Sequence, residues 1–331
     1  MHHRFSRPGA SGFTLVEVLV AVAVLALLVA LLGQLFINVT AASSISSNHM
    51  ESDARVRLLF ERMAADFSHI LKRTDIDCYL KAPSYSEWTS PAVTAANNLQ
   101  TGPANDQMAF FSEVAGYSDV TGIEQNSVSL VAYRVNTTGT APCIERLGKA
   151  LSWSGGASGI FPVAFMPSTI LTTWPAATLT PASSGTSDPA YDADFETIVP
   201  SAFRFEYYYQ LRSGALSATP WYDSVRPAPD GSIHTTLNGF ADVAGIGVVV
   251  AVTDHKSTQL IAASALQTLT GQLVDAPSNG TILVNGSTVN FTVGTMQQNW
   301  QATVSGSALP AAAKNGIRVY EQLFSISAPA Q

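Results

Sequence analysis

The chain has 331 residues, 47% hydrophobic and only 12% charged, with a net charge of −7 and two cysteines. An ordinary soluble domain is about 25% charged, so this balance points to a chain that is partly in a membrane or exported, and excludes disorder as its main state. Two cysteines cannot build a disulfide scaffold, no CxxC pair suggests a zinc ribbon, and the net negative charge argues against a nucleic-acid partner.

Residues 1–12 form a polar leader containing Arg4, Arg7, His2 and His3 and no acid. From Val18 to Phe36 no residue is charged, and only Gly33 and Gln34 dilute the apolar run. At 1.5 Å per residue this run makes roughly 30 Å of helix, one hydrocarbon core. The basic leader predicts that this end stays cytoplasmic and that everything after Phe36 faces outward. Glu17 is the one acid in the otherwise apolar segment. A carboxylate costs roughly 2.5–3.5 kcal/mol at the centre of a membrane helix and less near its end, so Glu17 needs a reason. Cleavage after Gly12 supplies one: Phe13 would then carry a positive α-amino group, with Glu17 about 6 Å further along the same helix. In a stack of such helices the carboxylate of one subunit would neutralise the amine of its neighbour, a pair favourable only in the assembly.

The run GFTLVEVLVAVAVLALLVALL, which starts at Gly12, resembles the prepilin signal of type IV pilins and type II secretion pseudopilins. The resemblance implies that Gly12 is the last leader residue and that a membrane prepilin peptidase cuts there and N-methylates Phe13. It also implies that Glu17 is the family's glutamate at the fifth mature position. Implied partners are other pilin or pseudopilin subunits and an inner-membrane assembly platform, around a single-pass inner-membrane protein with a periplasmic or filament-displayed C-terminal part. Two plainer readings compete. One is an ordinary secretory signal cut near Val39-Thr40-Ala41, and the other is a plain signal anchor; both leave Gly12 and Glu17 unexplained.

Beyond the apolar run, Val56, Leu59, Phe60, Met63, Phe67, Ile70 and Leu71 recur at steps of three and four, with Arg55, Arg57, Glu61, Arg62 and Asp66 between them. This spacing predicts an amphipathic helix over 49–72 laid against a globular domain, and a single bent helix from about Phe13 to Lys72. Gly33 is the natural place for it to bend or unwind.

After Thr74 the composition turns to Ser, Thr, Gly, Pro, Ala and Asn between short apolar runs, the pattern of strands and long loops. Strands are predicted at Gln107 to Ser112, Ser127 to Val135, Phe203 to Gln210 and Gly245 to Thr253. In the third, Phe203, Phe205, Tyr207 and Tyr209 should share one face. The fourth, with its run IGVVVAVT, should be covered on both faces. Proline-rich stretches at 82–105 and 154–194 read as long excursions. Thr258 to Leu273 reads as a helix, Thr281 to Val284 and Thr288 to Val293 as a hairpin about Asn285-Gly286, and Gly316 to Ser327 as a last strand. This order of pieces, with FRFEYYY, Trp221 and GVVVAVTD, resembles the minor pseudopilin J group of type II secretion and PilW-type minor pilins. It is also similar to pseudopilin-like cassette proteins of Verrucomicrobia. The stretch after about residue 255 is extra to that group.

Little in the chain suggests catalysis. The histidines, at 2, 3, 49, 69, 234 and 255, form no HExxH; residues 156–159 (GASG) are no GxSxG elbow, and Gly245-Ile246-Gly247 lacks the third glycine of a dinucleotide loop. Asp188, Asp192, Asp194 and Glu196 could hold calcium in one acidic loop, but their spacing fits no EF-hand, and a solvated acidic loop is the plainer reading. No other cofactor is expected. Cys78 and Cys143 would lie in a compartment that permits disulfides, where a bridge would contribute on the order of 4 kcal/mol by chain entropy. The alternative is two buried thiols.

The expected fold is α+β: a long N-terminal transmembrane and amphipathic helix packed on an antiparallel β-sheet head, as in pilins. The expected divisions are a leader over 1–12, a membrane and filament-packing helix over 13–37, its amphipathic continuation over 38–73 and an exported head over 74–331. The expected function is that of a minor pilin-like subunit, not an enzyme, with no nucleic-acid partner. The rivals are a type IV pilus minor pilin in adhesion or DNA uptake, and a membrane-anchored exported enzyme or binding protein.

Overall fold

The structure is a computed structural model and describes residues 14–71, 105–106, 108–116, 127–137, 141–150, 195–218, 243–277 and 280–326. The chain divides into two units, Met1–His49 and Met50–Gln331. A 54-residue helix, α1 (Leu15–Ser68), contributes to both.

In the first unit, Leu15–Ile37 is long and apolar enough to cross a membrane, and none of it is buried within the chain. The helix runs on through Gly33 without unwinding. A lone glycine costs about 1 kcal/mol relative to alanine in a helix, which a helix of this length absorbs. A Cβ at Gly33 would meet no atom of the described residues within 4 Å.

The second unit holds two four-stranded antiparallel sheets. One is a meander of β1 (Met108–Ser112), β2 (Ser129–Asn136), β3 (Cys143–Ala150) and β4 (Phe195–Pro200) in that order. The other has the order β10 (Ile317–Ser325), β7 (Val243–Thr253), β5 (Ala202–Leu211), β6 (Leu216–Ser217). Ser201, with φ 61°, turns the chain directly from β4 into β5 and so from one sheet to the other. Between β7 and β10 lie α2 (His255–Leu260), α3 (Ala263–Gln272), a hairpin of β8 (Thr281–Val284) and β9 (Ser287–Asn290), α4 (Thr295–Gly306) and α5 (Ala311–Asn315).

Two cores follow from this order. In the first, the α1 stripe Val56, Leu59, Phe60, Met63 and Phe67 meets Phe110, Val131 and Tyr133 of the first sheet and Phe205, Tyr207, Val248, Val250 and Phe324 of the second. Phe67 lies with its ring centre 5.3 Å from those of Phe110 and Phe324, so one aromatic side chain bridges both sheets. In the second core, the opposite face of β5, β7 and β10 (Phe203, Tyr208, Val249, Ala251, Val319) is covered by Leu266, Leu269, Met296, Trp300 and Val304 of the C-terminal layer. The stretch after residue 255 therefore completes the fold: it supplies both the cover for this face and the edge strand β10.

The amphipathic helix, the four main strands, the last strand and the Asn285-Gly286 hairpin are all present. Asn285 and Gly286 have φ 52° and 78°, as a type I′ turn demands. β7 is buried on both faces, as its continuous apolar run implied. Four expectations are corrected. Phe203 does not share a face with Phe205, because a bulge between Ala202 and Arg204 turns it into the second core. The predicted helix over 258–273 is two helices, since Ile261 and Ala262 are extended and Ile261 drops into the core. The second hairpin strand stops at Asn290, freeing Phe291 to pack 5.0 Å from Tyr208. Glu196 is not in an acidic loop but on β4, opposite Arg146 of β3. β3 gave little apolar signal because its charged residues are paired internally: Arg134 of β2 holds Glu145 at 3.0 Å and stacks 3.6 Å from the centre of the Phe195 ring of β4.

Candidate functional site: the α1 start and its buried carboxylate

Glu17 stands in the first turn of α1, where it closes a capping box with Thr14. The Glu17 backbone N–H donates to Thr14 Oγ1 at 3.3 Å, and the Thr14 backbone N–H donates to Glu17 Oε2 at 3.4 Å. Each side chain thus satisfies one of the backbone donors that a helix start leaves open, and the carboxylate lies at the positive end of the helix dipole. The sequence Thr14-Leu15-Val16-Glu17 carries this box openly, as Thr-x-x-Glu before an apolar run. All of Leu15, Val16, Val18, Leu19 and Val20 around it are exposed within the chain. Gly12 and Phe13 lie outside the described residues.

Near the other end of α1, Asp66 was expected on the polar side of the helix and is instead 1% exposed. Arg146 of β3 grips it with two bonds, Nε to Oδ2 at 2.7 Å and Nη2 to Oδ1 at 2.8 Å. Tyr133 of β2 donates its hydroxyl to Oδ2 of the same carboxylate. Burial, and then the Asp66 charge, push the Tyr133 phenol well above its usual pKa. Burial acts to lower the Arg146 pKa, but the paired carboxylate outweighs it and raises it. Only the structure shows this clamp, because its members are 67 and 80 residues apart.

Cys143 opens β3 half-buried and without a disulfide partner among the described residues, with Sγ 3.7 Å from Glu145 Oε1 and 3.9 Å from Thr197 Oγ1. Burial, and then the Glu145 charge, push its pKa up to about 11. Its expected partner Cys78 lies outside the described residues, as do Asp188, Asp192 and Asp194. Glu196, the described member of that acid set, is exposed on β4. Among the described residues, no three His, Cys, Asp or Glu side chains are grouped as metal ligands would be.

Residues 7–33 match the family described as the prokaryotic N-terminal methylation motif. The match supports the resemblance to type IV pilins and pseudopilins from the amino-terminal segment. Among solved structures, the chain is similar to a type IV-like pilin from Thermus thermophilus at 13% identity and a TM-score of 0.32, over 84% of this chain and 95% of that one. No curated protein matches the chain.

Proposed function

We propose that this chain is a minor pilin-like subunit, cut after Gly12, N-methylated at Phe13 and held in the inner membrane by α1 until it joins a filament of like subunits. The observation that carries this reading is the methylation motif over residues 7–33 together with a following apolar helix that finds no cover within its own chain. The leader stays cytoplasmic and the second unit lies on the far side of the membrane. In the uncut chain Glu17 serves the backbone of Thr14. In the filament its carboxylate turns to the Phe13 amine of a neighbour, which sets the axial register, while the apolar helix supplies packing area. A separate ATPase provides the energy, and a type II secretion pseudopilus is the preferred machine.

Mass spectrometry of the mature N-terminus tests the proposal. A chain starting at N-methyl-Phe13 is expected; a start at Met1 or Ala42 would sink it. Glu17→Ala is expected to leave membrane insertion intact and reduce incorporation into filaments at least tenfold, read by immunoblot of sheared filaments against the membrane fraction.

A further inference from the structure

The layer between β7 and β10 is almost without charge. From Ser257 to Ala313 the one charged residue is Asp275, in a chain that is 12% charged overall, and its carboxylate is bonded inward to Arg204 of β5. Where the layer packs on the sheet, burial accounts for this, since Leu266, Leu269, Met296, Trp300 and Val304 form a core there. The outer side has no such reason, because water-facing helices and strands are ordinarily about 25–35% charged, which keeps chains apart. There α3 exposes Gln267 and Thr268, β9 exposes Thr288 and Asn290, and α4 exposes Gln298 and Gln301. The outer side of α1 in the same unit shows the usual pattern, with Glu51, Arg55, Arg57, Glu61 and Arg62 exposed.

A second observation falls on the same layer. Among the described residues, the large apolar side chains exposed outside α1 are Leu260, Val274, Leu283 and Val293, between 41% and 57% exposed, and all four belong to it. Val274 and Leu283 flank one turn of α4: the Val274 carbonyl accepts from Trp300 Nε1 at 2.9 Å, and the Leu283 carbonyl accepts from Asn299 Nδ2. Loss of charge together with exposed apolar side chains is the composition of a protein interface at its centre.

We propose that two copies of this chain associate through the outer side of this layer. The chemistry selects the occupant. A hydroxyl or a carboxamide both donates and accepts, so a surface of Ser, Thr, Asn and Gln can hydrogen-bond to a copy of itself, as a two-fold contact requires; carboxylates only accept and ammonium groups only donate. The chain's net charge is −7, and a contact through this layer keeps that like charge out of the interface. The contact uses no residue of α1, so it is separate from the helix packing of the proposed filament.

The test uses the full chain in detergent micelles, with detergent in excess. Light scattering is expected to show a shift from one copy to two as protein concentration rises. Added salt is expected to strengthen the pairing several-fold, because it screens repulsion between acidic copies and finds no ion pair in the contact to weaken. Val274→Lys with Leu283→Lys is expected to weaken pairing at least tenfold, as is Val274→Glu with Leu283→Glu, and an equimolar mixture of the two variants is expected to restore it. Leu58→Lys, on the exposed side of α1, is expected to pair as the native chain does. Should either double variant fail to fold, Leu283→Lys and Leu283→Glu take their places. A chain that stays single at every concentration overturns the proposal, whether its own residues or a different partner cover the layer. So does pairing that salt abolishes, pairing that survives in both charged variants, a mixture that stays single, or pairing lost with Leu58→Lys.

Discussion

Asp66 shows how one side chain can decide what a helix does. A carboxylate in the last turn opposes the helix dipole, and no base in that turn offsets it. Its charge is met by Arg146 and Tyr133 from two strands, with Arg62 of the same helix at 3.9 Å, so docking on the first sheet stabilises the end of α1. Asp66→Ala leaves a buried guanidinium unpaired and is expected to cost about 3–5 kcal/mol, read by thermal unfolding of the second unit. Adding Arg146→Met to that variant should recover part of the loss; a double variant less stable than the single one counts against the clamp. At Cys143 the pKa of about 11, against 9.0 for an ordinary thiol, lowers the thiolate fraction about 100-fold. Alkylation by iodoacetamide at pH 8 should be slower by a comparable factor, and non-reducing peptide mapping will report whether Cys143 is instead bridged to Cys78.

Among the elements, α4 and β10 are joined by one acid and one amide: Gln297 Nε2 donates to the Val319 carbonyl at 2.8 Å, and Glu321 caps the helix. Glu321 Oε1 accepts from the Gly294 N–H at 2.7 Å, and Oε2 from the Gln297 N–H at 2.8 Å, so a strand side chain caps the start of α4. The same carboxylate takes the Tyr208 hydroxyl at 2.7 Å. Glu321→Ala strands three buried or half-buried donors at a helix start and is expected to destabilise by roughly 2–4 kcal/mol. Proteolysis should then cut first within 281–306, before the sheets open. β5 and β7 meet with similar economy at Gly247, which lies opposite Tyr208 and directly beneath its ring. Gly247→Ala drives a methyl group into that ring and is expected to cost about 1–3 kcal/mol, measured as a fall in the unfolding midpoint.

At the scale of the whole molecule, several buried acids bias stability against high pH. Burial holds Tyr133 and Tyr207 well above the usual phenol range and Cys143 at about 11. Each is higher in the folded chain than in the unfolded one, so above the unfolded values the unfolded chain releases protons that the folded chain keeps. The stabilisation is therefore complete below about pH 9 and is lost as pH rises through 9 to 11 and beyond. Unfolding midpoints in detergent should fall steadily over that range, and Tyr133→Phe should flatten part of the slope.

What was legible in the sequence is what depends on neighbours along the chain. The apolar run, the lone Glu17, the three-and-four spacing from Val56 to Ile70, the continuous run of β7 and the Asn285-Gly286 turn are local patterns with local physical causes, and each appears where the sequence placed it. The charged strand β3 was hidden for the opposite reason. Glu145 and Arg146 look like surface residues until Arg134 and Asp66, distant in sequence or on another element, neutralise them. The side of the helix to which Asp66 belongs and the face to which Phe203 turns were likewise decided only in the tertiary structure. Burial makes an unpaired charge or backbone group costly, and its partner can come from any part of the chain that folding brings near. The sequence by itself determined that an apolar helix would continue as an amphipathic one and that a β-rich body would follow; long-range pairing of buried polar groups decided how that body is held together.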